Sequence, residues 1–130
     1  MPKVTKIVVN LDNQTVDGFA GSDRLFHFDA VVGRPGHETT PGQYHILRHE
    51  RMHYSKTYGN ASMPYSMFFS SDGKAFHGTR LPWIRSVAGT LGLGALIPAV
   101  GSHGCVGLAE EDAKLLYDAT PDNTQVEIVH

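Results

Sequence analysis

The sequence predicts a mainly-β single domain over residues 1–130, with one or two short helices. Three observations predict it. Short runs alternate apolar or β-branched residues with polar ones, the two-residue period of a half-buried strand. Clusters of Asp, Asn, Gly and Pro separate those runs as turns. A composition 41% hydrophobic and 18% charged over 130 residues suits one folded domain with a modest core.

Taken in order, residues 3–9 are β-branched and alternating, which predicts a first strand. Asp12-Asn13-Gln14 and Gly21-Ser22-Asp23 are turn signals. Residues 25–32 form a second strand in which Phe26, Phe28, Ala30 and Val32 share one face. His27 and Asp29 then fall on the solvent face. Gly33-Arg34-Pro35-Gly36 breaks that strand, and Thr39-Thr40-Pro41-Gly42 leads into another over 43–47. Residues 48–63 carry no steady period and are expected to be irregular. Residues 65–69 predict a strand, Asp72-Gly73 a tight hairpin turn, and 74–76 a return strand with His77 at its end. The segment 80–100, rich in Gly, Leu, Ile and Ala, is either partly helical packing or an apolar cover with glycine hinges. Residues 109–118 predict a helix with Glu110, Glu111 and Asp112 in its first turn, where the helix dipole favours negative charge. Ala109, Ala113 and Leu116, with Leu115 beside them, should face the core, and 125–129 alternates as the last strand. The total is six or more strands.

Composition excludes several classes. A net charge of −2 leaves no basic footprint for nucleic acid. No run is long enough for a membrane span, and the start has no apolar signal core. A single cysteine cannot make an internal disulfide, so its thiol remains open to chemistry.

That cysteine sits in Gly101-Ser102-His103-Gly104-Cys105-Val106-Gly107. A lone cysteine is most often a small core hydrophobe. Here a histidine lies two positions away and glycines bracket the sulfur, so backbone N–H groups could approach a reacting carbonyl. His77-Gly78 supplies a second imidazole 28 residues upstream, ample chain for the two to meet. This pattern points to a cysteine nucleophile with an imidazole base. A competing pattern is His49-Glu50-Arg51-Met52-His53, which fits H-E-x-x-H. On a helix its histidines would share a face and bind zinc while Glu50 activated a water. The flanking residues lack the apolar stripe of a buried helix, and no third ligand follows at a familiar spacing.

His77-Gly78-Thr79 followed by Ser102-His103-Gly104-Cys105-Val106 resembles the signature of the L,D-transpeptidase catalytic domain, the YkuD-like family. The likeness runs through Val31-Val32-Gly33, Thr40-Pro41-Gly42-Gln43-Tyr44, Met63-Pro64-Tyr65 and the closing helix and strand. It implies a β-sandwich of two sheets. It also implies that Cys105 is the nucleophile, His77 its base, and the Gly78 carbonyl the group that orients the imidazole. Backbone N–H groups of His103, Gly104 and Cys105 would form an oxyanion hole, with Ser102 and His103 shaping the site. Tyr65 and Trp83 are candidate walls of the substrate site, or core. Gly107 stands where the family usually carries Arg or Asn, which bears on donor recognition, and the 77–102 interval is longer than usual.

The implied reaction cuts a peptidoglycan stem tetrapeptide between its diamino acid and terminal D-Ala, through a thioester and without cofactor. An amine acceptor gives transpeptidation with a 3→3 cross-link or amino-acid exchange, and water gives an L,D-carboxypeptidase. A zinc hydrolase through His49, Glu50 and His53 is the third reading. A monomer is expected. Peptidoglycan lies in the periplasm or cell wall, so the absence of a signal in this chain implies a trimmed domain or a specialised export route, the latter suiting an antibacterial effector.

Overall fold

The computed structural model describes residues 2–32, 39–55, 61–79 and 105–130. Nine strands and one helix account for most of them: β1 (Lys6–Asn10), β2 (Thr15–Ala20), β3 (Asp23–Val31), β4 (Gly42–His45), β5 (Arg48–Ser55), β6 (Ala61–Phe68), β7 (Ala75–Thr79), β8 (Val106–Ala109), α1 (Glu110–Ala119) and β9 (Gln125–Val129). The fold is mainly β, as the sequence predicts. Three strands were not foreseen: β2, β5 and the short β8 between Cys105 and the helix. In β2, Asp17 and Gly18 interrupt the apolar pattern, and its register with β3 shifts between Gly18 and Phe19. In β5, which occupies the stretch expected to be irregular, most residues are polar.

The strands follow one hydrogen-bonded order, β4-β9-β1-β2-β3-β8-β7-β6-β5. The expected two sheets are thus two halves of one curled sheet that share β3. Residues 23–29 of β3 pair with β2, whereas Ala30 and Val31 pair with β8. Connectivity explains the curl. β4 and β5 stand at opposite ends of the order, yet only Ile46 and Leu47 separate them in the chain. A flat sheet would hold those strands about 38 Å apart, and so short a link spans about 10 Å. The sheet must therefore bend back. The Ile46 amide bonds to the Thr124 carbonyl and the Leu47 amide to the Phe68 carbonyl, joining the two ends.

The enclosed core draws on both halves: Ile7 and Val9 of β1, Val16, Val126 and Ile128, together with Phe76, Val106 and Leu108. The helix closes it with Ala113, Leu116 and Ala119 buried. Leu115 is 47% exposed, contrary to expectation, because only the 113–116–119 stripe faces inward. The acidic first turn is present, and no side chain caps α1. His27 lies on the solvent face, where its Nδ1 meets Asp17. Among the described residues no helix is long and apolar enough to cross a membrane.

Candidate active site

β7 and β8 run parallel at the middle of the second half, pairing Phe76 with Val106, His77 with Gly107, Gly78 with Leu108 and Thr79 with Ala109. His77 thus lies within a central strand rather than at a hairpin end. Alternation sorts these residues between two faces. Phe76, Val106 and Leu108 enter the main core beneath α1. Gly78 shares that face, since a Cβ there would lie 3.1 Å from Cα of Glu110 and 3.1 Å from Cγ of Pro64. Ala75, His77 and Thr79 point the other way, as does Gly107, whose missing Cβ would lie 2.7 Å from the Thr79 methyl.

Carrying the register back one residue sets Cys105 beside Ala75, on the His77 face. Cys105 packs against a small apolar cluster of Met63, Phe68 and Ala75. Gly107, which pairs with His77 two residues beyond Cys105, has no side chain to intervene between thiol and imidazole. Two positions along a neighbouring strand correspond to about 8 Å between backbones, a gap that an imidazole and a thiol can close from either side.

His77 Nδ1 lies 3.0 Å from the Gly78 carbonyl. A carbonyl only accepts, so Nδ1 carries the proton, and a neutral ring then presents Nε2 as a base. Burial pushes the His77 pKa below the ordinary imidazole value, while the Gly78 bond pulls the other way. Burial pushes the Cys105 thiol up, opposed by a hydrogen bond with the Ala75 backbone and by the Lys74 charge. Desolvation is the largest influence at both groups and works against charge on each, favouring a neutral thiol beside a neutral imidazole.

Met63 and Phe68 were not foreseen as neighbours of the thiol. Five residues apart on one strand, they have opposite parity, yet both join the Cys105 cluster. The reason is Tyr65, whose φ of 54° is left-handed and interrupts the alternation of β6. The Tyr65 ring lies instead against Tyr117 of α1, at 5.6 Å between centroids. It therefore sits on the helix side and not as a wall beside Cys105. Its placement after Pro64 was the one local signal of a break in the strand. Ser102, His103, Gly104 and Trp83 lie outside the described residues, as does the whole apolar segment 80–100.

The H-E-x-x-H residues occupy β5, not a helix. His49 packs its ring on Tyr117 at 4.8 Å and bonds Asp122 at 2.5 Å. His53 packs on Phe68 at 5.1 Å, across the sheet, and lies 3.3 Å from Glu50. With the two histidines on opposite faces, the helical premise of the zinc reading is gone. Among the described residues no group of three or more His, Cys, Asp or Glu is placed to hold a metal ion.

A sequence profile of the YkuD L,D-transpeptidase catalytic domain matches residues 5–128. Among solved structures, an L,D-transpeptidase of Stackebrandtia nassauensis is 29% identical, with a TM-score of 0.78 over 100% of this chain and 57% of that one. An L,D-transpeptidase of Mycobacterium tuberculosis H37Rv is 25% identical, with a TM-score of 0.77 over 99% of this chain and 58% of the other. L,D-transpeptidase 1 of Mycobacterium tuberculosis, at 20% identity and a TM-score of 0.73, shares the fold over 96% of this chain and 60% of its own. The chain thus spans less than two thirds of the length of these relatives. No curated protein matches the sequence.

Proposed function

The chain belongs to the L,D-transpeptidase catalytic-domain family, and from that premise we propose that it is a cysteine-dependent acyltransferase acting on peptidoglycan stem peptides. The observation that carries the proposal is the shared face of β7 and β8: Cys105 and His77 lie either side of Gly107, and the Gly78 carbonyl holds Nδ1. In this reading Nε2 of His77 removes the Cys105 proton as sulfur attacks the carbonyl of the stem diamino acid. Charge develops on the carbonyl oxygen. Family likeness assigns its stabilisation to backbone N–H groups of His103, Gly104 and Cys105. The imidazolium then protonates the departing D-Ala amine, the C–N bond breaks, and a thioester remains on Cys105. An acceptor amine attacks the thioester, passes its proton to Nε2 and releases the thiol with a 3→3 cross-link or an exchanged amino acid. Water in place of the amine would give tripeptide, the carboxypeptidase outcome.

The neutral resting pair refines this scheme. The thiolate forms as the substrate arrives, instead of standing ready as an ion pair with imidazolium. The site of action is the cell wall or periplasm, where stem peptides occur.

The test is incubation with a tetrapeptide-stem muropeptide and mass spectrometry of the products, with Cys105→Ala and a chelator as parallel arms. A tetra–tetra dimer lacking one D-Ala indicates transfer, and tripeptide alone indicates hydrolysis. Turnover surviving Cys105→Ala, or abolished by the chelator, would sink the proposal.

A further inference from the structure

One row of paired residues crosses four strands on the Cys105 face. Arg48 of β5 lies opposite Phe68 of β6, and Phe68 lies opposite Ala75 of β7. Ala75 in turn stands beside Cys105, one residue before the Phe76–Val106 pair. The middle of the row is apolar, since Phe68 and Ala75 belong to the cluster under the sulfur. Its far end is cationic. The Arg48 guanidinium lies over the Phe68 ring, 3.8 Å from the centroid.

Neighbours fix that guanidinium. Its Nη1 bonds the Glu50 carboxylate, and the same carboxylate lies 3.2 Å from His53 Nδ1. The His53 ring meets Phe68 edge-on, completing a frame on the same aromatic floor. Stacking covers a face of the guanidinium and leaves its edges, where the N–H donors lie. Glu50 is bonded through Nη1, and the Arg48 side chain is 53% exposed, so donors remain open. A planar fork of this kind matches a carboxylate in two-point geometry.

Distance says which part of a substrate could arrive there. Because Arg48 folds back over Phe68, its charge stands about two inter-strand gaps from Cys105, or about 10 Å. In an extended chain that is the reach from the attacked carbonyl to a carboxyl group carried by the residue before the diamino acid, about seven bonds away. The departing D-Ala carboxylate is too near the scissile bond to reach it.

We propose that Arg48 is a specificity-determining residue of the donor site, receiving a free carboxylate that the stem carries on the N-terminal side of the attacked residue. Glu50 and His53 are positioning residues that hold the fork flat. The proposal rests on the transpeptidase reading above and adds the substrate feature that reading leaves open.

Two synthetic tetrapeptide donors test it. They differ only in bearing a carboxylate or a carboxamide on the residue before the diamino acid. Wild type should show a KM roughly tenfold or more lower for the carboxylate donor, the range of a charge-assisted hydrogen bond, with similar kcat. Arg48→Gln should erase that difference by raising KM for the carboxylate donor alone, and Arg48→Lys should restore part of it. Equal KM for both donors in wild type overturns the proposal, and that comparison needs no variant to fold. A KM rise common to both donors in Arg48→Gln also overturns it. No turnover of either donor by wild type would instead remove the transpeptidase reading itself.

Discussion

The protonation state of the resting site can be measured through alkylation of Cys105. The perturbation is pH, in wild type and in His77→Ala, with iodoacetamide as the reagent. Burial holds the thiol above its ordinary value of 9.0. At pH 7, two units lower, no more than about 1% of the sulfur is thiolate. Burial also holds His77 below its ordinary 6.5, so at pH 7 imidazolium is the minor form and lends a thiolate little support. The alkylation rate should therefore climb about tenfold per pH unit between 6 and 8, with a midpoint above 9.0. His77→Ala should leave that midpoint where it is, although it abolishes turnover. Because the variant removes the base and not the cysteine, the two readouts separate. A wild-type midpoint below 7 that rises when His77 is removed would mean a standing thiolate–imidazolium pair. The account of desolvation at this site would then be wrong.

Gly107→Ala should cost about 1–3 kcal/mol in urea unfolding, because its Cβ would meet the Thr79 methyl at 2.7 Å. Adding Thr79→Ser, which deletes that methyl, should recover most of the loss; additive costs would refute the steric cause. In α1, Leu116→Ala should cost about 2–5 kcal/mol and Leu115→Ala well under 1, since Leu116 is fully buried and Leu115 is 47% exposed. Acid stability carries a sign. His77 binds its proton less readily folded than unfolded, so stability is full above the ordinary 6.5 and declines as pH falls through it. Urea melts at pH 7.5 and 5.5 should show the decline in wild type, and a smaller one in His77→Gln.

Several features of this protein are legible from local pattern alone. The runs that became β1, β3 and β9 alternate cleanly, and the stripe at 113 and 116 marks the inner face of α1. Gly73, with φ of 93°, occupies the turn that Asp72-Gly73 announced. The bracketed Cys105 and the His77-Gly78 pair stand out as a candidate nucleophile and base through residue type and spacing. β5 was hidden for a physical reason. A strand is legible by alternation, and alternation fails where the partner strand breaks its pleat at the left-handed Tyr65.

Sequence by itself determined the class of fold and singled out Cys105 and His77 as the candidate nucleophile and base, because these follow from residue type and local pattern. Only the tertiary structure decided the rest. It set His49 and His53 on opposite faces, dissolving an apparent metal motif. It also brought Met63, Phe68 and Arg48 into line with Cys105 across strands that the chain visits far apart. Burial, and with it the direction in which each pKa is pushed, belongs to this second group: desolvation is exerted by every residue packed around a group, and no single stretch of chain contains them all.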